Sequence, residues 1–139
     1  MGGRSLTHRA EEFSSPDAWI LARFEWDVFG TLTFSGFTPP PLSVMDSCCA
    51  EFIRRVGKEI YQVPSAHDYI WAVRYELGES TGRPHYHFLT APPKGGVRQN
   101  KHQLAKRMEH LWSYSVKRVL RRRSSCVGFP KIRAYDSRK

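Results

Sequence analysis

An α+β fold in the order β-α-β-β-α-β, one antiparallel sheet with both helices on one face, is what this chain of 139 residues predicts. Three observations carry that expectation. Side chains alternate between two faces over 26–34, 69–76 and 84–90, the period of a strand. Apolar residues recur three and four apart over 43–60 and 100–119, the period of a helix packed by one stripe. Proline and glycine clusters separate these stretches.

Residues 1 to about 18 are polar and are expected to be a partly disordered segment ahead of one domain, 19–139. In the first strand Trp26, Val28, Gly30, Leu32 and Phe34 share one face, and Asp27, Phe29, Thr31 and Thr33 the other. Pro39-Pro40-Pro41 ends it, and Ser43 and Asp46 then open a helix with Met45, Cys49, Phe52, Ile53, Val56 and Ile60 inward. Val63-Pro64 stops that helix. The second strand turns Tyr69, Trp71, Val73 and Tyr75 to one side and Ile70, Ala72, Arg74 and Glu76 to the other. After the 77–83 connection, the third strand places His85, His87 and Leu89 on one face, Tyr86 and Phe88 on the opposite one. Asn100 or a residue beside it starts the second helix, whose buried stripe is Leu104, Met108, Leu111, Trp112, Val116 and Val119. Gly128 to Tyr135 closes the order as a strand that Pro130 confines to an edge or a strand start. This is the ferredoxin-like, split βαβ arrangement.

Composition is that of a globular protein, 40% hydrophobic and 25% charged, with no apolar run long enough for a bilayer. Cys48, Cys49 and Cys126 have no zinc spacing; reduced thiols in a cytosolic or host-cell interior are expected, with Cys48 and Cys49 as small core residues. Net charge is +9 and unevenly spread: from Lys94 onward there are fourteen Lys/Arg against two acids. Lys117, Arg118, Arg121, Arg122 and Arg123 concentrate it, a footprint for a polyanion. His67, His102 and His110 have no partner pattern and read as surface residues.

His85 and His87, one residue apart in a strand, present two imidazoles side by side. If the second and third strands pair antiparallel, Glu76 lies opposite one of them on the same face. Two imidazole nitrogens and a carboxylate oxygen can hold a divalent cation and leave positions open for a phosphate. In a basic chain, that set points to metal-assisted phosphoryl chemistry on nucleic acid.

These residues resemble the HUH endonucleases, named for a His-hydrophobic-His motif, which include rolling-circle replication initiators, relaxases and single-strand transposases. Phe29-Gly30-Thr31-Leu32-Thr33-Phe34 is similar to the first motif of the initiators, and Glu76 with His85-Tyr86-His87 to the second. The resemblance covers about residues 24–136. It implies Mg or Mn held by Glu76, His85 and His87. It also implies single-stranded DNA as partner, a hairpin origin included, with Thr31, Thr33 and Arg83 near its backbone. The implied activity is nicking and rejoining through a 5′-phosphotyrosine, in replication initiation or transposition.

The family's tyrosine has no settled place. Tyr114-Ser115-Val116-Lys117 has the motif's spacing but sits in the helix before the last strand; Tyr135 falls at the end of that strand. The third expectation is a tyrosine helix starting beyond Lys139. A nucleic-acid-binding module of the same fold without catalysis is the alternative. An RNA-recognition domain shares the strand order, but its aromatic sheet-face pattern is absent.

Overall fold

In a computed structural model the described residues are 24–35, 39–78, 82–96, 98–120, 128 and 130–135, together with the course of a strand at 3–6. The core elements follow the expected order: β2 (Val28–Thr33), α1 (Leu42–Arg55), β3 (Ile70–Leu77), β4 (Pro84–Ala91), α2 (Lys101–Leu120) and β5 (Lys131–Ala134). Strand β1 (Gly3–Leu6) precedes them. The sheet runs β1-β3-β4-β2-β5, with β3, β4, β2 and β5 antiparallel to their neighbours and β1 parallel to β3. The four core strands therefore make the split βαβ sheet. β1 is an addition within the segment expected to be polar and partly disordered. Four residues, one of them glycine, are too few to show an alternation, so only the backbone pairing with β3 reveals it.

Alternation in β2 and β4 appears directly as alternating burial. Val28, Leu32, Val73, Tyr86, Phe88 and Ile132 turn to one face and meet Phe52, Ile53, Leu104, Met108, Trp112 and Val116 of the two helices. Gly30 is required there, because a Cβ would stand 2.4 Å from Phe88 Cε1 and 3.0 Å from Ile132 Cγ1. Trp112 is fully buried, and its indole N–H donates to the Thr33 carbonyl at 3.2 Å, tying α2 to β2. Cys48 and Cys49 are buried in the core, and Cys126 lies outside the described residues.

Helix α1 begins earlier than Ser43 and Asp46 suggested. Pro41 occupies the N-cap without a side-chain cap, and Asp46 instead accepts a hydrogen bond from the Tyr86 hydroxyl of the sheet. A local capping pattern has been diverted to a contact forty residues away. The helix then widens into a π turn, Val56–Ile60, before Gln62 at φ 57° breaks it. α2 starts as expected: Asn100 Oδ1 accepts from His102 N and Gln103 N at 3.0 and 3.1 Å.

The face away from the helices is not wholly polar. At one end Trp26, Ala72 and Ala91 are buried with Phe24, Ile70, Leu89 and Tyr135 against them. Trp26, expected beside Val28, belongs to this second cluster because it precedes the strand. The polar residues hold the other end. Among the described residues no helix is long and apolar enough to cross a membrane.

Candidate metal centre

The β3–β4 register sets Glu76 opposite His85 and Arg74 opposite His87, while β2–β4 pairing sets Thr33 opposite His85 and Thr31 opposite His87. All six residues therefore share one patch of the face turned from the helices. Within it Glu76 Oε1 stands 3.3 Å from His85 Nε2 and 3.6 Å from His87 Nε2. One ligand atom from each of Glu76, His85 and His87 lies within 4.8 Å of the others, the one such group among the described residues. Their side chains are 25%, 16% and 20% exposed, so the cluster is partly open to solvent.

The far edge of each imidazole is also engaged. His87 Nδ1 meets Thr31 Oγ1 at 3.1 Å, and His85 Nδ1 meets the Arg83 carbonyl oxygen at 3.3 Å. The Arg83 carbonyl and the Glu76 carboxylate both only accept, so they compete for the His85 ring proton; a cation at Nε2 would leave that proton on Nδ1 for the carbonyl. Thr31 can hold His87 in the same tautomer. With a cation between them, both ring Nε2 atoms and the Glu76 oxygen would face it as donors. The donor set fits a divalent metal.

Charges around the triad favour the ligating forms. Burial pushes the Glu76 carboxyl up, but Arg74, His87 and His85 together outweigh it and hold the group below the usual carboxylate range. Burial, then the neighbouring His85, pushes His87 below 6.5, so the ring is neutral at neutral pH. Arg74 is a functional residue that the sequence pattern alone does not single out. It is 1% exposed and its Nη2 binds Glu76 Oε2, leaving Oε1 toward the histidines. The two-residue spacing of Arg74 and Glu76 on one strand face was the available signal. Phe29 was likewise unassigned; its ring stacks on His87 at 5.9 Å and 13°.

The other expected site residues divide. Thr33 and Arg83 flank the triad, and Arg83 donates to the Phe34 carbonyl at 2.8 Å. Lys117 and Arg118 are exposed on the last turn of α2, in the layer behind the sheet. Arg121, Arg122 and Arg123 lie outside the described residues. Tyr114 is half exposed on α2 with the Arg55 guanidinium 4.2 Å above its ring, so it belongs to the helical layer. Tyr135 shares the triad's face but packs in the second apolar cluster. Its backbone N–H donates to the Asp27 carbonyl, four residues along β2 from Thr31, about 13 Å at strand spacing. Tyr61, Tyr69, Tyr75 and Tyr86 pack in or against the core under the helices. None of the six tyrosines is thus brought beside the triad.

No curated protein and no solved structure matches the chain. A family model does: replication-associated protein ORF2/G2P, over residues 27–129, from the first core strand through both helices and all three members of the triad. With a His-His-Glu cluster on an antiparallel sheet of the expected topology, the resemblance to rolling-circle initiators becomes an assignment. The chain belongs to the replication-associated protein ORF2/G2P family.

Proposed function

We propose that this chain is a divalent-metal-dependent single-stranded DNA endonuclease domain that nicks, and can rejoin, a strand at the start of replication. The observation that carries this reading is the convergence of Glu76 Oε1, His85 Nε2 and His87 Nε2 on one point of a sheet in a replication-associated family. Mn or Mg held there would neutralise charge on a bound phosphate and orient it for in-line attack. The chain's own residues do the rest. Arg74 turns Glu76, Thr31 and the Arg83 carbonyl fix the two imidazoles, and Phe29 backs His87.

In the tyrosine mechanism a phenolate oxygen bonds to phosphorus, the 3′-oxygen leaves and takes up a proton, and rejoining reverses both changes. Tyr135 is the tyrosine on the triad's face, and it must travel along the sheet to serve. That distance favours a second reading, a module of this fold that binds nucleic acid without cutting it. The test is incubation of the full chain with labelled single-stranded oligonucleotides and Mn, on a denaturing protein gel. The endonuclease reading expects cleavage by the wild type and none by His87→Ala with its fold intact. A covalent protein–DNA band that Tyr135→Phe removes would name the nucleophile. Cleavage without a band would make water the nucleophile, and binding without cleavage would establish the second reading.

A further inference from the structure

We propose that the DNA strand reaches the triad across the β5 edge of the sheet, held by Lys131 and Arg133, rather than over the basic helix α2. This rests on the strand-cleaving reading above. Register places Lys131 opposite Thr31 and Arg133 opposite Phe29. Between them Ile132 is buried under the helices, so alternation sends both cations to the triad's face.

Contacts agree with that placement. The Arg133 guanidinium carbon lies 5.8 Å from the Phe29 ring centroid, and Phe29 stacks on His87. Thr31, facing Lys131, bonds the other side of His87. An unbroken path thus runs from the sheet edge to the metal-facing imidazole over two strand spacings, about 10 Å. Lys131 and Arg133 are both exposed, and neither has a carboxylate partner among the described residues. A phosphate next to the one at the triad would be within their field. Arg133 is already restrained over Phe29, so it loses less side-chain freedom on binding.

Three other cations are less well placed. Arg74 is buried and committed to Glu76, while Lys117 and Arg118 stand behind the sheet. A structural rival exists for Lys131 and Arg133: charged side chains on an edge strand discourage pairing with another chain. That role leaves DNA affinity untouched, so affinity decides between them.

The experiment is fluorescence anisotropy of a labelled oligothymidylate with the full chain in metal-free buffer across a salt series, alongside Mn titration of each variant. The Lys131→Ala/Arg133→Ala pair should lose about tenfold in affinity and flatten the log–log salt slope by about 1.4, two single-strand phosphate contacts. Its Mn affinity should match the wild type, showing the triad intact. Affinity within twofold of wild type and an unchanged slope would overturn the proposal, as would a larger loss from Lys117→Ala/Arg118→Ala. The two readings fail separately. A wild type that binds through Lys131 and Arg133 but never cleaves sinks the endonuclease and keeps the path; a β5 variant that binds and cleaves normally does the reverse.

Discussion

Thr31 Oγ1 lies 3.1 Å from His87 Nδ1, on the opposite edge of the imidazole from the nitrogen that faces Glu76. The hydroxyl therefore holds the ring's rotation from outside the Glu76, His85 and His87 cluster. Thr31→Val keeps the branched shape that suits a strand and removes the bond. Mn affinity should fall about tenfold, the low end for loss of an outer-shell partner. Calorimetric Mn titration checks it, and an unchanged dissociation constant would mean the ring is held by Phe29 stacking alone.

Arg74 and Glu76 form an ion pair with one end buried. Arg74→Met leaves a partly buried carboxylate without its cation and should cost about 3 kcal/mol in urea unfolding. It should also raise the Glu76 carboxyl and shift the pH at which Mn is lost upward. Arg74→Lys should recover part of the stability. A loss under about 1 kcal/mol for Arg74→Met would place the pair among weak surface contacts.

Proton competition has a definite sign here. His87 sits below 6.5 because of burial, then His85; Glu76 sits below the usual range despite burial, because of Arg74, His87 and His85. Both groups are in the form that can bind a cation at neutral pH. Mn affinity should fall as pH drops below neutrality and His87, then Glu76, take up protons. Without metal, both groups have folded values below their unfolded ones. Their contributions to stability are complete above the unfolded values and are lost as pH falls through the folded ones. Titrations between pH 5 and 8 test this, and a decline that begins above pH 7 would contradict it.

Gly30 lies between Phe88 and Ile132, where an added methyl has no room. Gly30→Ala should destabilise by about 2 kcal/mol through overpacking, with the triad's Mn affinity little changed because Gly30 faces the helices. Thermal unfolding measures the first and calorimetry the second.

How far the sequence could be read depended on the range of the forces involved. Strands β2, β3 and β4 and the meeting of Glu76 with His85 follow from two-residue alternation, a local rule. The start of α2 follows from Asn100. The start of α1 does not, because Asp46 serves Tyr86 across the core rather than its own helix. Burial of Arg74 depends on what covers that end of the face. The apolar cluster of Trp26, Ala72 and Ala91 needs strand pairing to assemble. Lys131 and Arg133 were hidden by the heavier charge of α2, which counts for more in composition but sits on the other side of the sheet.

The most direct measurement is Mn titration of the full chain by calorimetry and electron paramagnetic resonance, comparing wild type with His85→Ala and Glu76→Gln. The account predicts one ion per chain, nitrogen coupling in the resonance spectrum, and binding weakened by about a hundredfold or more in either variant. Binding of equal strength in all three proteins would place the metal elsewhere and remove the basis of the proposed cleavage.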